Sequence, residues 1–147
     1  MPRENYRAIA PEAFRKLADL SVLMHQCSLE IGLVHLVYVR VSQLNGCAYC
    51  VDTHTREALE AGEKPQRLYA LTVWRDTDFF TPRERAALVW AEAMTKISAG
   101  HPPKALCDEL RRPFTEKEFV ELTFAIATIN ALNRIGIGFE AQPKLRG

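Results

Sequence analysis

Asn45-Gly46-Cys47-Ala48-Tyr49-Cys50-Val51-Asp52-Thr53-His54 sets two thiols and an imidazole at successive offsets of three and four residues. On a helix those offsets share one face. Cys47 and Cys50 are then near enough to close an intrahelical disulfide. His54, one turn past Cys50, can accept its proton or hold it as a thiolate. Asn45 or Gly46 would serve as the N-cap, placing both cysteines in the first helical turn, where free backbone N–H groups and the dipole favour negative charge. A free thiol ionises at roughly pH 8.5, and a helix N-terminus or a neighbouring imidazolium lowers this by one to several units. The stretch has the parts of a redox device.

Two other readings compete for the same residues. Cys47 and Cys50 could be small core residues, since free cysteines are often buried. They could also be zinc ligands with His54, completed by His35 or Cys27, but structural zinc sites draw a second ligand pair at similar spacing and the chain has none. No metal is therefore expected, and no organic cofactor. Thioredoxin is a poor match, because its CxxC follows a strand in a βαβ pattern that this chain lacks. GxSxG and glycine-rich phosphate loops are absent as well.

The rest of the chain bounds what such a site could serve. At 147 residues, 48% hydrophobic and 25% charged, it reads as one globular domain over residues 1–147, burying roughly two-thirds of its unfolded surface. Nineteen Lys and Arg against eighteen Asp and Glu leave no field for polyanions, so nucleic acid is not an expected partner. The N-terminal Met1-Pro2-Arg3-Glu4-Asn5-Tyr6 lacks the apolar core of a signal peptide. The longest uncharged run, Leu122 to Asn133, is too short to span a bilayer. The expectation is a cytoplasmic protein with no membrane partner. In that reducing compartment a CxxC reads as catalytic or metal-binding, not as a staple.

The elements that must carry the motif are helical. Pro11 opens a helix with Phe14, Leu17, Leu20 and Met24 inward, and Pro65 a short one through Leu68, Leu71 and Thr72. Thr81-Pro82-Arg83-Glu84 is a capping box with proline at its first helical position, and Gly100 is a stop after Ile97. Thr115-Glu116-Lys117-Glu118 repeats the box, opening a segment through Leu132 that is apolar on nearly every side and so belongs in a core or an oligomer interface. Residues 31–44 are ambiguous, because Val37, Val39 and Val41 alternate like a strand while Leu33, Leu36, Val37, Arg40, Val41 and Leu44 recur at helical spacing. With no second strand to pair, the fold class is all-α, a bundle of about six or seven helices. Cys27, Cys107, His25 and His101 read as structural, Asn130 and Asn133 as hydrogen-bonded packing residues, and Trp74 and Trp90 as core or interface anchors.

The run from Val39 to His54 closely resembles the signature of the alkyl hydroperoxidase D-like proteins of the carboxymuconolactone decarboxylase family. The likeness extends to Trp74-Arg75, to Phe80-Thr81-Pro82-Arg83-Glu84-Arg85-Ala86-Ala87-Leu88 and to Ile129-Asn130-Ala131-Leu132-Asn133-Arg134, covering about residues 12–140. The resemblance implies an all-α fold that assembles into homo-oligomers, trimers or hexamers, and it makes residues 31–44 a helix. Carried over, it makes Cys50 the peroxidatic cysteine, Cys47 the resolving one and His54 the proton acceptor. Lactone-decarboxylating members generally lack the paired cysteines, so the pair points to the peroxidase side. The family's relay glutamate lies twelve residues before the first cysteine, and His35 stands there instead. The resemblance thus places a second imidazole in the catalytic set, and implies a weaker peroxidase or one tuned to another pH. Glu30 is a weaker candidate for the missing carboxylate.

The expected activity is a thiol-dependent peroxidase acting on hydrogen peroxide or an organic hydroperoxide and regenerated by an external dithiol or protein reductant. A general disulfide reductase and a redox-sensing oligomer are the alternatives, followed by a zinc-binding structural module and a lactone decarboxylase.

Overall fold

The computed structural model describes residues 4–147, so Met1, Pro2 and Arg3 of the N-terminal stretch lie outside the described residues. Among those described, every regular element is helical: α1 Tyr6–Ile9, α2 Pro11–Met24, α3 Ile31–Asn45, α4 Ala48–Glu60, α5 Pro65–Ala70, α6 Pro82–Thr95, α7 Lys104–Leu110 and α8 Glu116–Gly138, with 3-10 turns at Leu71–Asp76 and Ile97–Ala99. Eight helices exceed the six or seven expected, the short α1 being one that no strong sequence signal announced. No helix among the described residues is long and apolar enough to cross a membrane.

α3 is the centre of the bundle, packed against α4, α6 and α8. Leu33 to Val39, Val41 and Ser42 are all buried, so its apolar residues need no single-face periodicity, and burial on every side overrides the poor helix propensity of valine. That is why Val37, Val39 and Val41 imitate a strand. One face of α3 joins a large core with Trp90 and Ala91 of α6 and Leu122, Ile126 and Ile129 of α8. Its opposite face, through Leu36 and Val39, joins Ala58, Leu71, Trp74, Phe80 and Leu88 in a second core.

The ends follow the punctuation in the sequence. Pro11, Pro65 and Pro82 stand in the first turns of α2, α5 and α6, and full capping boxes form at Thr81/Glu84 and Thr115/Glu118. α6 stops at Thr95, earlier than the Gly100 signal, because a 3-10 turn intervenes and Gly100 closes that turn at φ 154°. Glu92 ties the elements together from α6. Its Oε1 accepts from Arg40 Nη2 at 2.8 Å and Trp74 Nε1 at 3.1 Å, and its Oε2 from Arg75 Nη1. Burial pushes the Glu92 carboxyl up, but the hydrogen bonds from Arg75, Trp74 and Arg40 outweigh it and hold the group below the usual range.

Candidate active site

The turn between α3 and α4 positions the thiols. Gly46 follows α3 at φ 71°, in the left-handed region that glycine occupies without strain. The Gly46 and Cys47 N–H groups bond back to the carbonyls of Gln43 and Ser42, closing α3 so that α4 starts at once. The N-cap of α4 is Cys47 itself and not Asn45 or Gly46. Its Sγ accepts the backbone N–H of Cys50 at 3.3 Å. Asn45 is drawn away to α8, donating to Asn130 Oδ1 and Asn133 Oδ1 at 2.9 Å each, while the fully buried Asn133 donates to Ser42 Oγ at 3.0 Å. These amides are satisfied as expected, and they fasten the thiol-bearing turn to α8.

Cys47 and Cys50 form a disulfide, with their Cα atoms 5.2 Å apart. Cys27 and Cys107 are free and pack against the large core. Both sulfurs of the pair lie under α8 at Gly136, where a Cβ would stand 3.1 Å from Cys47 Sγ and 3.4 Å from Cys50 Sγ. Cys50, but not Cys47, lines a cavity of about 210 Å³ with Phe14, Tyr49, His54, Glu57 and Leu132 among its walls. Tyr6, Arg7, Tyr49 and Thr53 border both this cavity and a wider cleft of about 650 Å³.

His54 is buried, 8% exposed, with its Nδ1 2.9 Å from Glu57 Oε2. The Glu57 carboxyl is held below its usual range by this hydrogen bond, against the opposing effect of burial. A carboxylate only accepts, so Nδ1 carries the proton, and in the neutral ring Nε2 is left as the acceptor. Tyr38 meets the His54 ring edge-on at 5.1 Å. Its phenol, pushed up to about 12 chiefly by burial, is neutral at physiological pH.

The chain thus brings Cys47, Cys50 and His54 together, as their spacing requires. His35 is buried close by, but its ring packs on His25 at 5.0 Å, and one of its ring nitrogens lies within 4.8 Å of a Glu57 carboxylate oxygen. Burial and the neighbouring His25 lower its pKa, which favours the neutral ring. Glu57 is the residue that sequence reasoning missed. It lies three positions after His54, on the same face of α4, and that spacing was the available signal. Glu30, by contrast, turns outward and pairs with Arg83 at 3.0 Å. His25 closes α2 beside His35 and Tyr38, whereas His101 lies exposed in a loop.

The chain resembles known proteins in sequence and in fold. Residues 10–93 match the carboxymuconolactone decarboxylase family. The uncharacterized protein YdfG of Bacillus subtilis is 39% identical over 135 residues, covering 92% of each chain. A candidate AhpD antioxidant defence protein of unknown function from Agrobacterium tumefaciens superposes with a TM-score of 0.95 at 38% identity, over 99% of this chain and 100% of its own. The debrominase Bmp8, solved with 2,3,4-tribromopyrrole, has a TM-score of 0.83 at 24% identity, over 93% of this chain and 73% of its own, and so shares the fold. With more than half of its length matched to the family and a close structural relative over all of it, the chain belongs to the carboxymuconolactone decarboxylase family as an AhpD-like member.

Proposed function

We infer that the chain, as one AhpD-like domain over residues 1–147, is a thiol-dependent peroxidase. The observation that carries this reading is the Cys47–Cys50 pair at the start of α4, with Cys50 facing the same small cavity as His54 and Glu57. In the reduced protein Cys50 gives its proton to His54 Nε2, while Glu57 holds Nδ1–H and offsets the imidazolium charge. The Cys50 thiolate attacks one oxygen of the hydroperoxide and the O–O bond breaks. The leaving alkoxide or hydroxide takes a proton and departs as alcohol or water. Cys50 is now a sulfenic acid. The Cys47 sulfur displaces its hydroxyl as water, giving the disulfide, and an external dithiol returns both thiols by exchange.

The cavity supports the division of roles, since Cys50 lines it and Cys47 does not. Both cysteines are nearly inaccessible, at 4% and 2% exposure, which suits a small hydroperoxide better than a bulky protein disulfide. His35 joins the relay through Glu57, as its outer group, and not by replacing the missing carboxylate. A homo-oligomer is supported by apolar side chains left on the surface of α8, with Val120 49% and Phe124 55% exposed. A reducing compartment such as the cytoplasm would supply the dithiol.

Reduced protein supplied with hydrogen peroxide or cumene hydroperoxide and dihydrolipoamide should consume peroxide catalytically. Cys50→Ser should abolish consumption, and Cys47→Ser should stop after forming a sulfenic acid at Cys50. No consumption by the native protein, together with no sulfenic acid at Cys50 in the Cys47→Ser protein, would overturn the reading.

A further inference from the structure

Beside the thiol pair, three helices bring a second set of donors together. His25 closes α2, His35 lies on α3 and Glu57 on α4, and one ligand atom from each falls within 4.8 Å of the other two. The tautomer of His25 is fixed by its surroundings. Its Nδ1 lies 2.6 Å from the Ser21 carbonyl, which can only accept, so Nδ1 holds the proton and Nε2 keeps a lone pair. That Nε2 is buried and, among the described residues, has no hydrogen-bond partner. The same is true of Nδ1 of His35, a residue only 5% exposed.

Buried acceptors without donors are costly and rare in folded proteins. Nε2 of His25 is such an acceptor, and its ring shares the cluster with the unpartnered His35 and the Glu57 carboxylate. With His35 protonated at Nε2, a cation takes a lone pair from each of the three groups. A ring that donates Nδ1–H to a backbone carbonyl and presents a bare Nε2 is also the arrangement usual for a metal-ligating histidine.

We propose that His25, His35 and Glu57 form a binding site for a divalent cation of the zinc class, with two imidazole nitrogens and one carboxylate oxygen as ligands. Two imidazoles and a carboxylate suit zinc and its first-row neighbours, and three protein ligands leave a position open to water. Around such an ion, bonds of about 2.0–2.2 Å put tetrahedral ligand atoms roughly 3.3 Å apart, so the three groups, now within 4.8 Å of one another, must draw in by up to about 1.5 Å. Glu57 has the freedom to do this, because its side chain is 37% exposed and lines the cavity through which an ion would enter. This donor set contains neither cysteine; it shares His35 and Glu57 with the proposed relay, but cation binding itself does not require peroxidase activity.

The test uses native protein stripped with chelator and titrated with Zn²⁺ against a chromophoric competitor, and separately with Co²⁺ by absorption. One Zn²⁺ per chain should bind. His25→Ala and His35→Ala should each weaken it by at least about tenfold, and the Cys47→Ser/Cys50→Ser protein should retain it. The Co²⁺ form should show d–d bands with no thiolate charge-transfer band. Zn²⁺ binding no stronger in the native protein than in the two histidine variants would overturn the proposal, as would loss of binding in the cysteine variant. If either histidine variant fails to fold, the Co²⁺ titration of native protein decides, because saturable d–d bands of nitrogen and oxygen ligation support the site and their absence, or a thiolate band, refutes it. Peroxide consumption measured on metal-free protein reports on the thiol chemistry separately, so that either reading can fail alone.

Discussion

Removing the charge of Glu57 while keeping its shape separates two things the carboxylate does for His54. In Glu57→Gln the amide oxygen can still accept Nδ1–H at the 2.9 Å seen for the carboxylate, so the tautomer survives and only the charge is lost. A hydrogen bond to an ionised group contributes about 1.5–3 kcal/mol and a neutral one about 0.5–1.5 kcal/mol. The difference is about 1 kcal/mol, and the 37% exposure of the Glu57 side chain argues for the lower part of that range. At about 1.4 kcal/mol per tenfold in rate, Glu57→Gln should slow Cys50 oxidation about three- to tenfold. Glu57→Ala removes acceptor and charge together and should cost about 2 kcal/mol, or roughly thirtyfold. Stopped-flow oxidation of the reduced, chelator-treated proteins by hydrogen peroxide gives these rates, with melting temperature as the control for folding. Rates for both variants within twofold of the native protein would refute the relay through Glu57. An equal large loss in both would mean that the charge matters and the hydrogen bond does not.

Three further outcomes test other parts of the structure. Peptide mapping after stoichiometric peroxide should find one intrachain Cys47–Cys50 disulfide with Cys27 and Cys107 still reduced, and a Cys27–Cys107 bridge would contradict the pairing in the structure. Glu92→Ala leaves the Arg40 side chain, 13% exposed, without its carboxylate; at about 3–5 kcal/mol for a broken buried pair, the melting temperature should fall by roughly 10–15 °C. Because the folded Glu92 carboxyl lies below its ordinary value of 4.5, its contribution is complete above that pH and lost as pH falls through the lowered value, so the gap in melting temperature between native protein and Glu92→Gln should be wide at pH 7 and should shrink progressively as pH falls below 4.5.

Much of this architecture was legible because local chemistry dictates it. A threonine followed three residues later by glutamate satisfies its own orphan N–H groups wherever it lies, so both boxes could be read from the chain alone. The register of Cys47, Cys50 and His54 was equally local. What escaped depends on contacts between distant segments. Nothing near residue 37 says that α3 is covered on every side, and without that knowledge its valines look like a strand. His25 and His35 are ten residues apart across a loop, and only the packing of α2 on its neighbours makes their rings meet. The resemblance drew attention to position 35 for a carboxylate, whereas the carboxylate that meets His54 comes from within its own helix. The N-cap was misplaced by a residue or two because sulfur is a weak acceptor and is seldom considered for that place.

Gly136 carries a consequence for how far this fold can be stabilised. In the middle of a helix glycine is worse than alanine by about 0.5–1 kcal/mol, and by less in a last turn such as the one that holds Gly136, and replacing it is a standard route to greater stability. Here a methyl group would press on both sulfurs, at 3.1 and 3.4 Å, so the usual gain is opposed by the thiol pair beneath. In a protein whose Cys47 and Cys50 are both alanine, Gly136→Ala should recover most of that gain. In the native protein it should bring little or none, and should slow the return of the disulfide to thiols. The gap between the two backgrounds measures the stability that α8 forgoes to leave room for sulfur. Selection for robustness alone and selection for redox turnover would therefore favour different residues at this one position.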